Sequence, residues 1–306
     1  MQKKRIIFMG TSLIACDYLN ILIERNYNII AVFTQPPRKK GRGMNITQSP
    51  VHVESLKYNI PVFCPNDLYK KQNLELFNKL KADLIIVIAY GLLLPKQILD
   101  LPQHGCINIH FSSLPRWRGA APIEHALLNG DIKTVVTIFR LVNKLDSGPI
   151  ISSQSLEIDE NMDKNDLTLK LNQIGQKLLI KSLPNYFENK ITLINQNDID
   201  ITYAHKIYSE DRKINFYSNV TNVYNKVRAF SPSAWCIIGN ENIKIIKCKK
   251  KRVESFPSII INDKFHLGCN DGLIEPSIVQ REGKKPMKIQ EFLKGFRFKV
   301  GQKINE

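Results

Sequence analysis

The sequence predicts an α/β protein: a mostly parallel sheet domain followed by a small β-barrel domain. Three observations carry this. Short apolar runs alternate with helical periods through the first half, some of these runs are apolar on both faces, and five short β-like runs crowd together after residue 230. Strands buried on both faces belong to parallel sheets covered by helices, whereas closely spaced short strands separated by turn residues belong to small barrels. At 306 residues the chain exceeds the usual single core, so two domains are the default.

The elements follow in order. "RIIF" (5–8) reads as a first strand, then a Gly10-Thr11-Ser12 turn, where Gly10 lets the chain turn tightly, and a helix near 13–25 with Leu, Ile and Tyr on one side. "NIIAVFT" (28–34), "PVF" (61–63), "DLIIVIA" (83–89) and "CINIH" (106–110) read as the next strands. Helices are expected near 50–58, 73–81, 95–100 and 121–129. "TVVTIFRLV" (134–142) and "PIISSQSL" (149–156) are further strands joined through Leu145-Asp146-Ser147-Gly148, and a longer helix fills 165–187. Residues 188–212 are polar and poorly periodic. This divides the chain into a catalytic domain at 1–190, a linker at 191–212 and a C-terminal domain at 213–306. Within the last, a helix is expected near 219–229 and short strands at 234–238, 242–248, 258–261, 265–269 and 272–279, as in a barrel of OB type.

Composition narrows the function. The longest apolar run, Leu84 to Leu94, falls short of the ~20 residues needed to span a bilayer, and the charged start reaches Gly-Thr-Ser too soon for a signal peptide. A cytoplasmic protein is expected. The six cysteines show no C-x-x-C pair and no nearby His at zinc spacing, so they read as reduced packing residues and no metal site is expected. The net charge is +16, and residues 201–306 hold 20 Lys and Arg against 10 Asp and Glu. Such a surplus suits either a polyanionic partner or simple solubility. "MGTSLIA" matches neither G-x-G-x-x-G nor the P-loop, so a dinucleotide or nucleoside triphosphate is unsupported.

Three places carry possible chemistry. Asn108 and His110 end a strand two residues apart, hence on one face, and ligands of parallel sheets bind beyond the carboxyl ends of the strands. A capped strand end would explain an arbitrary Asn-x-His. A lone Asp in a turn, such as Asp146, more often bonds its own backbone. Together, however, the three could make one catalytic machine. An imidazole moves a proton, an amide donates to a developing oxyanion, and a carboxylate orients the ring and favours its charged form. No Ser or Cys stands in an elbow motif, so direct transfer without an acyl-enzyme is expected. The loop "TQPPRKKGRGMNITQSP" (34–50) carries Arg38, Lys39, Lys40 and Arg42 with no acid, which suits phosphate contacts or a solvated surface.

"INIHFSSLPRWRGAAPIEHALLNGD" followed by "LDSGPI" resembles the formyltransferases that use 10-formyltetrahydrofolate. "RIIFMGTS", "AVFTQPPRKKGRG", "SPVHV", "VIAYGLLLP", "TYAHKI" and "VRAFSPSAW" extend the resemblance over nearly the whole chain. It implies a Rossmann-like domain followed by an OB-like one, with catalytic roles on Asn108, His110 and Asp146. It implies folate contacts at Ser112, Ser113, Leu114 and Pro115, and a pocket wall that includes Tyr90, Leu92 and Leu94. The basic loop and basic C-terminal domain are similar to the members that act on aminoacylated tRNA. That implies initiator methionyl-tRNA as acceptor, with Arg38, Lys39, Lys40 and Arg42 against the acceptor stem. No extra apolar surface is evident in the sequence, so a monomer without membrane contact is expected. Two alternatives stay open: the same chemistry on a small amine, such as an amino sugar nucleotide or glycinamide ribonucleotide, and a non-catalytic RNA-binding protein. Phe111, Ser113 and Val135 depart from residues common in the family.

Overall fold

The computed structural model describes residues 3–40 and 45–305. The chain divides into two compact units, one of Met1–Arg118, Val135–Leu156 and Leu171–Thr202, the other of Gly119–Thr134, Glu157–Lys170 and Tyr203–Glu306. In chain order the elements begin β1 (Arg5–Gly10), α1 (Leu13–Glu24), β2 (Asn28–Phe33), β3 (Arg38–Lys40), β4 (Asn45–Thr47), α2 (Pro50–Lys57) and β5 (Val62–Phe63). Next come α3 (Lys71–Leu80), β6 (Leu84–Ile88), α4 (Lys96–Leu99), β7 (Cys106–His110), β8 (Arg118–Gly119), α5 (Pro122–Asn129), β9 (Lys133–Arg140) and β10 (Ile150–Glu157). They end with α6 (Lys164–Phe187), β11 (Tyr203–Ala204), α7 (Val220–Phe230), β12 (Trp235–Ile238), β13 (Glu241–Lys251), β14 (Leu267–Cys269), β15 (Gly272–Arg281), β16 (Met287–Lys288) and α8 (Ile289–Gly295).

The first unit is built on a seven-stranded sheet in the order β10-β9-β7-β6-β1-β2-β5. Strands β5, β2, β1, β6 and β7 pair in parallel, as the doubly apolar runs predict. All five residues of β6 are buried. The chain winds one way from β1 through β2 to β5 and the other way through β6 to β7, so a topological switch lies at β1 and β6. β9 runs antiparallel to β7, pairing His110 with Thr137 and Ile107 with Arg140. Local signals place the helices: Ser49 Oγ accepts from the His52 amide at the start of α2, with Pro50 at the first position. Gly10 has a different job from the expected tight turn. A Cβ there would lie 2.7 Å from the Ala15 Cβ and 3.1 Å from the Ile88 carbonyl, so close packing of α1 and β6 on β1 requires it. All six cysteines are free and all but Cys64 are buried. Burial raises their thiols, Cys16 to about 11 and Cys236 to about 12, as packing residues require.

The second unit centres on a curled antiparallel sheet, β12-β13-β15-β14 with β16 on β15, an OB-like half-barrel. β13 carries the lysine run, with Ile243, Ile245 and Cys248 inward and Lys244, Lys247, Lys249 and Lys251 exposed. Register shifts beside Lys247 let the strand curl without turning its apolar side out. The strands expected at 258–261 and 265–269 are shorter than their apolar content predicts. Ile259 and Ile260 make only isolated bridges, and the second strand begins at Leu267. Asn262 is the cause: its Oδ1 accepts from the Lys264 and His266 amides, turning the chain through Phe265 at φ +62°. Among the described residues no helix is long and apolar enough to cross a membrane.

Candidate active site

β7 places the two residues the sequence singles out. Asn108 sits beside Val87 of β6 and Phe139 of β9, and His110 opposite Thr137, so amide and imidazole share one face at the strand's carboxyl end. Among the described residues the half-buried Asn108 carboxamide makes no hydrogen bond. The His110 ring is fixed from both sides. Its Nε2 lies 2.8 Å from the Trp117 carbonyl, which only accepts, so Nε2 carries a hydrogen. Its Nδ1 faces Asp146 Oδ2 at 3.9 Å, and the Phe139 ring meets it edge-on. Any proton that His110 gains or gives up therefore moves at Nδ1.

Asp146 reaches this position by an indirect route. β9 ends at Arg140, in register with Ile107, and the Leu141 amide donates to the Cys106 carbonyl. The following turn must run about 10 Å back along β7, three residues at a strand's rise, to meet His110. Two backbone features allow it. Asp146 takes a left-handed conformation at φ +45°, and at Gly148 a Cβ would stand 1.7 Å from the Arg140 carbonyl. Both carboxylate and imidazole are buried, at 8% and 7% exposure, so their mutual field is weakly screened.

The loop after β7 is self-braced. The Ser112 hydroxyl donates to the Arg116 carbonyl at 2.7 Å, and Thr137 Oγ1 donates to the Ser112 carbonyl at 2.7 Å. Ser112 and Leu114 are buried, Ser113 is exposed and Pro115 lies between. At the switch point the Tyr90 carbonyl accepts from Thr11 Oγ1 and Gln35 Nε2. Tyr90 and Leu94 are buried in the apolar core with Met9 and Phe33, and Leu92 packs against it. Burial raises the Tyr90 phenol, whose hydroxyl has no hydrogen-bond partner among the described residues. Of the basic loop, Arg38 and Lys39 are exposed on β3, which pairs with β4 as a short hairpin, and Arg38 Nη2 donates to Gln35 Oε1. Lys40 ends β3, and Arg42 lies outside the described residues. Among the described residues no group of three or more His, Cys, Asp and Glu is placed to hold a metal ion.

Sequence reasoning missed four residues around this centre. Arg118, Gln196 and Thr202 brace the loops, and the Trp117 carbonyl sets the His110 tautomer. Trp117 and Arg118 lie inside the RWRGAAP stretch, where attention to side chains hid a backbone carbonyl. Gln196 falls in a polar, aperiodic segment with no local signal, and Thr202 is the first residue of "TYAHKI", which carried the resemblance without pointing to a role for its hydroxyl.

Residues 4–183 match the family model described as formyl transferase, and residues 206–297 match the formyl transferase C-terminal domain. The chain belongs to the formyl transferase family. Within it, the chain is 41% identical over 302 residues to the methionyl-tRNA formyltransferase of Wolbachia sp. subsp. Drosophila simulans (strain wRi), covering 99% of this chain and 100% of that one. It is 38% identical over 300 residues to the methionyl-tRNA formyltransferase of Brucella melitensis biotype 2, covering 96% and 98%. In fold it resembles WlaRD, a sugar 3N-formyl transferase crystallised in the presence of dTDP and 5-N-formyl-THF. The TM-score is 0.64 at 23% identity, over 93% of this chain and 100% of that one. HypX from Aquifex aeolicus in complex with tetrahydrofolic acid gives 0.66 at 16% identity, over 98% and 50%.

Proposed function

We propose that this chain moves the formyl group of 10-formyltetrahydrofolate to the free α-amine of methionine esterified to initiator tRNA, for translation initiation. The observation that carries this is the meeting of Asn108, His110 and Asp146 at the end of β7, in a chain similar along its whole length to methionyl-tRNA formyltransferases. The residues present fit a folate donor. The Asn108 amide has no hydrogen-bond partner among the described residues, and the Tyr90 hydroxyl is buried without one. We assign the donor to Ser112, Ser113, Leu114 and Pro115, with Tyr90, Leu92 and Leu94 shaping the wall. Ser112 contributes through loop shape, since its hydroxyl is engaged within the loop.

When bound, the folate supplies the formyl group on a nitrogen that must leave. The chain's residues do the rest. As the neutral amine attacks, negative charge grows on the formyl oxygen, and the Asn108 amide and the His110 Nδ1–H donate to it. At 3.9 Å Asp146 Oδ2 lies beyond hydrogen-bond length from Nδ1 and acts on the ring by its field rather than by accepting a hydrogen. As the carbon–nitrogen bond to the folate breaks, the Nδ1 proton passes to the leaving nitrogen, and the emptied Nδ1 then takes the proton that the attacking amine gives up.

We assign this chemistry to residues 1–190, a connection to 191–212, and tRNA contacts to 213–306 together with Arg38, Lys39, Lys40 and Arg42. A monomer in the cytoplasm completes the reading. The test is formyl transfer to initiator and elongator methionyl-tRNA, an amino sugar nucleotide and glycinamide ribonucleotide side by side. Formylation of initiator methionyl-tRNA is the expected result. Formylation of a small amine alone, or of nothing, overturns it. Neutralising Arg38, Lys39, Lys40 and Arg42 together is expected to weaken tRNA binding and flatten its salt dependence.

A further inference from the structure

The segment after α6 holds both loops that touch His110. An antiparallel bridge docks it beside β10, with Ile150 and Ile194 exchanging backbone hydrogen bonds of 2.7 and 2.9 Å. From there Gln196 faces two ways. Its Nε2 donates to the Asp146 and Gly148 carbonyls, both at 2.8 Å. Its Oε1 accepts from Arg118 Nε at 3.1 Å and Nη2 at 2.7 Å. Arg118 is 1% exposed, and its Nη1 has no hydrogen-bond partner among the described residues, so Gln196 is its side-chain anchor. Six residues on, Thr202 Oγ1 accepts from the Trp117 amide at 2.9 Å, and the Thr202 carbonyl accepts from the Arg118 amide at 2.9 Å.

The two ends of this bracket bear on opposite sides of one ring. Trp117 presents the carbonyl that holds His110 Nε2, and the Asp146 turn presents the carboxylate opposite Nδ1. We propose that Gln196 and Thr202 are positioning residues: Gln196 sets the Asp146 turn against His110 Nδ1, and Thr202 sets the Trp117 carbonyl that fixes the ring's tautomer. This rests on the catalytic assignment made above. The left-handed Asp146 is the reason a clamp is needed. A non-glycine residue holds such a conformation only where its surroundings impose it, and here two amide hydrogen bonds grip its own carbonyl and that of Gly148.

Gln196→Ala strands a buried guanidinium and risks the fold, so the decisive variant is Gln196→Glu. Its carboxylate keeps, and by charge strengthens, the Arg118 contact. It loses both N–H donations and sets oxygen against two carbonyls. The expected result is a thermal midpoint at or above that of the wild type, kcat lower by about 10- to 100-fold, the magnitude of a misplaced reacting group, and KM for both substrates little changed. The pH–rate profile of Gln196→Glu takes the form of the Asp146→Asn profile. Thr202→Val loses the acceptor for the Trp117 amide, and Thr202→Ser restores it. Nitrogen NMR of the His110 ring, recorded without substrates, is expected to show the Nε2–H tautomer in the wild type and Thr202→Ser, and a mixture in Thr202→Val. Wild-type kcat in Gln196→Glu, or an unchanged ring signal in Thr202→Val, overturns the proposal. Because the NMR arm reads the ring without any acceptor, it stands apart from a failure to formylate methionyl-tRNA.

Discussion

Two histidines flank β7, His104 two residues before it and His110 at its end, and they are buried alike, at 6% and 7% exposure. They differ in what surrounds them. The His104 ring lies against Phe187 and Tyr186, with its Nε2 unpartnered among the described residues. Burial, seconded by Lys4 and Arg140 and only partly countered by Asp83, lowers its pKa from the ordinary 6.5. His110 has a carbonyl on one nitrogen and a carboxylate opposite the other. Burial among apolar rings and cations holds His104 as a neutral packing group. His110 instead has an acceptor that fixes its tautomer and a carboxylate facing its other nitrogen, the surroundings that the proposed proton transfer needs.

The largest effect is expected where that difference is removed. His110→Ala and Asp146→Ala should each cut turnover at least ~100-fold, and Asn108→Ala similarly, since one oxyanion donor is worth about 2.7–4 kcal/mol of barrier. Single-turnover transfer measures this, and near-normal rates would reject the roles. His104→Phe, in contrast, should change kcat less than about twofold, as expected away from the reacting atoms. Gly148→Ala comes next. Its new Cβ meets a backbone carbonyl that cannot step aside, so a loss of about 3 kcal/mol in denaturant unfolding is expected, together with reduced kcat as the Asp146 turn is displaced.

The pH dependence of stability sharpens the contrast further. Because the folded pKa of His104 lies below its unfolded value, the unfolded chain binds more protons there and stability rises with pH. The penalty is absent above 6.5 and grows as pH falls from there toward the folded value. Wild-type protein should thus lose more thermal midpoint than His104→Phe when acidified through that window. Equal losses would show that His104 is not held neutral. The smallest effect belongs to a half-buried counterpart of the Asp146–His110 pairing, the bidentate Arg281–Glu241 pair at 2.9 Å on both arms. The Arg281 hydrogen bond lowers the Glu241 pKa, so its contribution is complete above the unfolded carboxylate value and lost as pH falls through the folded one. Arg281→Lys should cost about 0.2–1 kcal/mol at neutral pH, less in high salt.

Much of this was legible along the chain. The apolar runs at 5–8, 28–34, 83–89 and 106–110 all became strands of one sheet, because a strand apolar on both faces has only a covered sheet to enter. The helix expected near 50–58 begins at Pro50, capped by Ser49, for an equally local reason. Asn262 did not announce that it would stop a strand, since its effect depends on which amides its side chain finds. The division into domains at 191–212 followed polarity, whereas the compact units take up Gly119–Thr134 and Glu157–Lys170 with the C-terminal part of the chain. A change in composition marks a connection only when the chain does not cross back, and crossing back leaves no trace in composition.

The sequence by itself determined that Asn108 and His110 share a face, because alternation along a strand is a property of the covalent backbone. It also determined which residue types were available for an oxyanion, a proton and a charge. Only the tertiary structure decided that Asp146 meets Nδ1, that Trp117 holds Nε2, and that Gln196 and Thr202 hold both. Those contacts join segments 7 to 85 residues apart. Their distances follow from the antiparallel register of β9 and the bridge at Ile194, which no short stretch of sequence encodes.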